Sequence, residues 1–129
     1  MMSDSTATGV LIYAKNLEYV SLFYERVLAG TVLHADAEHK VLQSNGMRLI
    51  VHAIPPHIAD SIAIGIPPEP REEQAIKPFF TVANLAAAGQ IAAGCGGVVC
   101  GTARDGPDIR MQNVCDPEGN IIQLCESVI

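Results

Sequence analysis

The sequence has no tryptophan, and its 129 residues include only three phenylalanines and three tyrosines. Flat drugs are usually bound by stacking on aromatic side chains, so this scarcity argues against a drug-stacking protein. Basic residues are also few: 8 lysines and arginines stand against 14 acidic residues, which gives a net charge of −6. Nucleic acid requires a basic surface, so we expect no nucleic-acid partner.

Long apolar runs are absent as well. No uninterrupted run reaches the roughly 18 residues of a transmembrane helix, and the first residues lack the basic head and apolar core of a signal peptide. The apolar fraction of 49% and the mean hydropathy of +0.26 are typical of a globular chain. We therefore expect a single-domain cytoplasmic protein without a membrane partner.

The four cysteines have no metal-binding or redox spacing. They stand at positions 95, 100, 115 and 125, and no two of them form a Cys-x-x-Cys motif. We interpret them as reduced core residues rather than as nucleophiles.

The chain repeats one pattern at an offset of 68 residues. Residues 11–17 and 79–85 are both β-prone segments that end on Asn-Leu. Asn16 and Asn84 are good N-caps, because a side-chain amide oxygen can accept from the first turn of a helix. Apolar residues at helical spacing follow each asparagine, so each repeat predicts a strand and then a helix.

Three short strands are predicted after each helix. In the first half they cover residues 31–35, 39–43 and 47–52, and the last two are joined by an Asn45-Gly46 hairpin turn. In the second half they cover 97–102, 108–115 and 120–126, separated by turn-forming residues. The predicted fold class is therefore α+β, with one βαβββ module at residues 7–54, a proline-rich linker at 55–74 and a second module at 75–129.

Three stretches carry a family resemblance: residues 16–30 with Phe23-Tyr24, residues 67–77 with Pro67-Pro68, and residues 116–124, which read Asp-Pro-Glu-Gly-Asn and then a strand. Together they resemble the glyoxalase/bleomycin-resistance/extradiol-dioxygenase (vicinal oxygen chelate) superfamily. The resemblance implies a bacterial protein whose modules form a cupped mixed or antiparallel sheet with helices on the outer face. It also implies a homodimer, which in some members forms by exchange of modules.

Metal-dependent members of this family hold a cation on the first and last strand of each module. Counting from the two Asn-Leu anchors and the two glycine turns assigns those places to Gly9, Ile50, Lys77 and Gln123. Glycine and isoleucine offer no ligand, and a lysine ammonium repels a cation, so only Gln123 can donate. We therefore expect no metal and no other cofactor at this site.

Side chains in register with those positions should line the groove between the modules. They form the predicted ligand-binding site: Tyr13, Arg48, Ile50, His52, Lys77, Phe79, Thr81 and Gln123. The cationic members suit a small anionic or carbonyl-bearing compound. The alternatives are that Arg48 simply reaches solvent, that His52 is a satisfied edge histidine, and that Lys77 is a snorkelling strand-end residue. The sequence thus favours a metal-free, small-molecule binding protein and assigns no catalytic residue. The alternatives are a lyase or isomerase of a carbonyl compound that uses Tyr13, His52 or Lys77, and a structural dimer whose groove is filled.

Overall fold

The chain folds into two four-stranded sheets, each covered by one main helix. The structure, a computed structural model, describes residues 7–129. The first module comprises β1 (Gly9–Ala14), α1 (Leu17–Val27), β2 (Thr31–Ala35), β3 (His39–Ser44) and β4 (Met47–Ala53). A short helix, α2 (Pro56–Ala59), follows it. The second module comprises β5 (Phe79–Thr81), α3 (Leu85–Gly94), β6 (Val98–Asp105), β7 (Ile109–Cys115) and β8 (Ile121–Ser127).

The two sheets have the same topology. Their strand orders are β1-β4-β3-β2 and β5-β8-β7-β6, and in each sheet the first strand is parallel to the last while the other pairs are antiparallel. This confirms the predicted α+β fold of two βαβββ modules. Over residues 7–129 the two sheets are not hydrogen-bonded to each other, so each module has its own sheet.

Local signals in the sequence set the ends of the elements. Asn16 Oδ1 accepts from the backbone N–H of Tyr19 at 3.1 Å, and Asn84 Oδ1 accepts from that of Ala87 at 2.9 Å, so both predicted N-caps are confirmed. Asn45 has a φ of 49° and Gly46 a φ of 76°, the left-handed conformation that a tight hairpin turn requires.

The helices lie between the modules and join them. Both helices and the covered faces of both sheets belong to one hydrophobic core. Phe23 and Tyr24 of α1 are fully buried there, whereas α3 contributes small residues such as Ala88 and Ala92. Within residues 7–129, no helix is long and apolar enough to cross a membrane.

Two features differ from the predicted elements. The segment predicted as a linker contains helix α2, which begins at Pro56, where the fixed φ of proline suits the first turn of a helix. Strand β6 continues to Asp105 rather than ending at Thr102, because its pairing with β7 resumes at Arg104 after an irregularity. The bulge allows β6 to continue beyond Gly101, a glycine that would otherwise be expected to end the strand.

Candidate functional site

The sheet faces that point away from the helices carry the residues predicted for the groove. On the first sheet, Tyr13 of β1 lies opposite His52 of β4. The neighbouring residues Leu49 and Val51 point to the other face and are 2% and 0% exposed. Because successive side chains of a strand alternate between faces, Ile50 and His52 share the open face. We call the two open faces the groove faces.

A row of rings crosses the first groove face. The ring centroids of Tyr13 and His52 are 5.5 Å apart, those of His52 and His39 are 5.2 Å apart, and those of His39 and His34 are 5.9 Å apart. His52 Nδ1 lies 2.8 Å from its neighbour's carbonyl oxygen, on Ala53. In the neutral ring this contact places the proton on Nδ1 and leaves Nε2 as an acceptor.

Arg48 gives the same face a permanent positive charge. It lies two residues before Ile50 on β4 and is half-buried. Its Nη2 donates to Oε1 of Gln43 on β3 at 3.4 Å. The first groove face therefore combines a guanidinium, a phenol and imidazoles over aliphatic side chains, a set that can bind an anion or a carbonyl oxygen.

The second groove face is mostly neutral. Phe79 of β5 lies opposite Gln123 of β8, and Gln123 lies opposite Asn113 of β7. Gln123 Nε2 lies 3.4 Å from Sγ of Cys125, and Lys77 Nζ donates to Oδ1 of Asn113 at 3.3 Å. The sequence analysis did not include Asn113. Its position beside Gln123 on the second groove face follows from the pairing of β7 with β8.

Within residues 7–129, the two groups of predicted residues lie on separate sheets and line different recesses. One recess, of about 830 Å³, lies at the start of α1 and includes only His52 of the predicted set. Another, of about 290 Å³, includes Lys77, Phe79 and Thr81. Tyr13 and Phe79 are 61% and 69% exposed, so both groove faces are open surfaces.

The residues present do not fit the metal centre of the family. The four places predicted for its ligands hold one oxygen donor among them: Gly9, Ile50, Lys77 and Gln123. The strand partners of Ile50 and Gln123 are Leu11 and Phe79, so the first strands offer no ligand at the level of these two residues. A divalent cation needs at least three such donors, and we derive no reaction step through one.

A group of possible metal ligands lies instead at the turn between β2 and β3. His34 Nε2 is 2.8 Å from Oδ2 of Asp36, and His39 Nδ1 is 2.7 Å from Oδ1 of the same carboxylate. The hydrogen bonds from His34 and from the backbone N–H groups of Glu38 and His39 hold the pKa of Asp36 well below its usual range. Sequence reasoning missed this group, although the spacing His-x-Asp-x-x-His was a signal.

The stretches that carry the family resemblance build the contact between the modules. Asp116 is fully buried, and its Oδ2 accepts from the hydroxyl of Tyr24 at 2.7 Å. Its Oδ1 accepts from the backbone N–H groups of Glu118 and Asn120 at 2.8 and 3.1 Å. Burial and the adjacent carboxylate raise the pKa of Tyr24, so its phenol stays protonated and donates. These motif residues are structural.

Each module's last turn reaches the end of the other module's first strand. In the second module, the carboxylate of Glu118 accepts from the backbone N–H groups of Lys15 and Asn16 at 2.8 and 2.7 Å. In the first module, Asn45 Nδ2 donates to the carbonyl oxygen of Thr81 at 2.8 Å. The two contacts are equivalent in position, because Asn45 and Glu118 both precede the glycine of their turns.

The cysteines are free thiols, and two of them, Cys115 and Cys125, are buried. Burial, with a smaller contribution from Cys100, raises the pKa of Cys115 to about 11. A thiol with such a pKa is protonated near neutral pH and is a poor nucleophile.

Comparison with known proteins identifies the fold. No protein-family model matches the sequence, and no curated protein matches it significantly. A glyoxalase/bleomycin resistance protein/dioxygenase family enzyme from Burkholderia phytofirmans PsJN superposes with a TM-score of 0.69 at 16% identity, over 94% of this chain and 98% of that one. A glyoxalase-related enzyme from Fulvimarina pelagi gives 0.66 at 17% identity, over 95% and 88%. The fosfomycin resistance protein FosX from Listeria monocytogenes gives 0.66 at 12%, over 98% and 95%.

These matches confirm the resemblance at the level of the fold. The chain has the two-module fold of the glyoxalase/bleomycin-resistance/dioxygenase proteins over nearly its whole length. A fold of this kind hosts several different activities, so the function has to be argued from the side chains of the groove faces.

Proposed function

We propose that this chain is a cytoplasmic, glyoxalase-like small-molecule binding protein that works without the metal centre of the family. The observation that carries the proposal is the pair of open groove faces, which have a fixed cation and acid/base groups on one side and amides on the other. Ligand sites typically combine apolar walls with a few such polar groups. Arg48 would bind a carboxylate, phosphate or carbonyl group of the ligand.

The groove requires a second copy of the chain. In one protomer the two groove faces belong to separate sheets, and each leaves a large aromatic side chain, Tyr13 or Phe79, exposed. A homodimer related by a two-fold axis would place the first groove face of one copy against the second groove face of the other. Both aromatic side chains would then be buried, and two equivalent grooves would form.

A thermal-shift screen of chelator-treated protein tests the binding function. The panel contains small carboxylates, phosphates and carbonyl compounds, and a ligand at 100 times its Kd should stabilise the protein by about 2.7 kcal/mol. The Arg48→Ala variant should bind the best compound at least about tenfold more weakly. Arg110→Ala is the matched control, because Arg110 is exposed, pairs with Asp105 at 3.0 Å and lies on the opposite face of its sheet. If no compound raises the melting temperature, the groove is filled and the proposal fails.

A second candidate function is a lyase or isomerase of a small carbonyl compound. The contact between Tyr13 and His52 favours it, since a phenol and an imidazole side by side can transfer protons. If the protein converts a bound compound, and His52→Ala abolishes this turnover but retains binding, the protein is an enzyme. Binding without turnover would leave it a binding protein.

A further inference from the structure

The turn between β2 and β3 brings three metal-ligand types together on the first sheet. His34, Asp36 and His39 each offer one ligand atom, and these atoms all lie within 4.8 Å of one another. Tetrahedral zinc ligands are about 3.3 Å apart, given metal–ligand bonds of about 2.0–2.1 Å. The 2.8 Å contact between His34 Nε2 and Asp36 Oδ2 would therefore need to open by only about half an ångström, and His39 Nδ1 already lies 2.7 Å from the other oxygen of the same carboxylate.

An irregularity in β2 aims His34 at this place. Val32 pairs with Leu42, but after a one-residue shift His34 pairs with Val41 rather than with Lys40. Regular pairing would turn His34 to the helix side, because a shift of one residue exchanges the faces of a strand. The bulge instead puts His34 on the same face as His39, which is what bulges near functional sites often do.

The carboxylate is oriented by the backbone and keeps one oxygen available. Asp36 Oδ1 accepts from the backbone N–H groups of Glu38 and His39 at 2.8 and 2.9 Å. Its Oδ2 contacts only the imidazole of His34 among the hydrogen bonds of the described chain. An ion can therefore bind Oδ2 without loss of the backbone contacts that fix the turn.

The charges around the turn favour a cation. Glu38 adds a second carboxylate to the same turn, and the whole chain carries a net charge of −6. Lys40, the next basic residue along β3, points to the other face, where its Nζ lies 3.2 Å from Glu25 of α1. Its ammonium group is thereby held away from the turn.

We propose that His34 Nε2, Asp36 Oδ2 and His39 Nδ1 bind a divalent transition-metal ion of the zinc type, with water completing its coordination. Two imidazoles and one carboxylate are a donor set that suits zinc and its first-row neighbours. The site lies at the outer end of the row of rings, at the edge of the first groove face formed by β2 and β3, and it uses none of the side chains predicted for the small-molecule ligand.

Titration with Co²⁺, followed by visible absorption and by calorimetry with Zn²⁺, tests the site. We expect one ion per chain, an absorption band typical of four-coordinate Co²⁺, and no thiolate charge-transfer band. His39→Ala and Asp36→Asn should each weaken Zn²⁺ binding at least about tenfold. Asp36→Asn keeps an oxygen for the two backbone N–H groups, so the turn should stay folded.

His57→Ala is the matched control, because His57 is an exposed histidine of the segment after β4. It should bind Zn²⁺ like the unaltered protein. Binding that survives His39→Ala and Asp36→Asn together, or a thiolate band that shows cysteine ligands, would overturn the proposal. Neither result would affect the ligand screen, which uses chelator-treated protein, so the two proposals fail separately.

Discussion

The two modules share one architecture but carry different chemistry on their groove faces. The first face has titratable rings, with Tyr13 and His52 in contact, and a cation at Arg48. The middle of the second face is lined by neutral groups, with Asn113 opposite Gln123. The comparison shows that the repeated pattern of buried residues sets the fold, while the alternate positions are free to vary. A groove between these faces would have one titratable wall and one wall that is neutral apart from Lys77, which we call the neutral wall.

The two helices also differ, in the size of the side chains that they bury between the modules. Phe23 and Tyr24 of α1 are 0% exposed, whereas the equivalent positions of α3 are Ile91, which is 39% exposed, and Ala92. Phe23 reaches across to the second module, where it lies against Gly97. The large side chains of α1 therefore fill most of the space between the modules, and the small side chains of α3 leave room for them.

The largest expected effect comes from that difference in volume. Phe23→Ala should lower the free energy of unfolding by about 4 kcal/mol, because it leaves a cavity between the modules. Ile91→Ala, the equivalent change in α3, should cost only about 1 kcal/mol because the side chain is already partly exposed. Urea unfolding at one fixed protein concentration measures both values. Equal losses would mean that the helices contribute alike to the core.

The two last turns give a smaller contrast. Glu118→Ala should cost about 3 kcal/mol, because the buried carboxylate accepts two backbone N–H groups that would lose their partner. Asn45→Ala removes one exposed hydrogen bond to Thr81 and places alanine at a positive φ, for a loss of about 1 kcal/mol. The same urea assay compares them, and a larger loss for Asn45→Ala would contradict the assigned roles.

Much of the fold could be predicted because its signals are local. Asn16 and Asn84 cap their helices, and Asn45-Gly46 forms its turn, each through contacts within a few residues. The pairing of the modules could not be predicted in this way. It depends on contacts between distant residues, such as Tyr24 with Asp116, that no periodicity reveals.

The candidate site was predicted less completely. Alternation along the strands placed Tyr13 and His52 on one face, and the structure puts them in contact. His34 was missed because its face depends on the bulge in β2, and a regular strand would have placed it opposite Lys40. A bulge in one strand cannot be predicted until the register of that strand with its neighbour is known.

A mixing experiment tests most directly whether the groove forms between a titratable wall and a neutral wall of two copies. Arg48→Ala and Gln123→Ala proteins, each defective in binding the best compound of the screen, are unfolded together and refolded as a mixture. If the groove lies between copies, mixed dimers carry one intact groove, and calorimetry should recover about a quarter of the original binding sites. No recovery in a mixture shown to contain mixed dimers would contradict the account and place the ligand within a single chain.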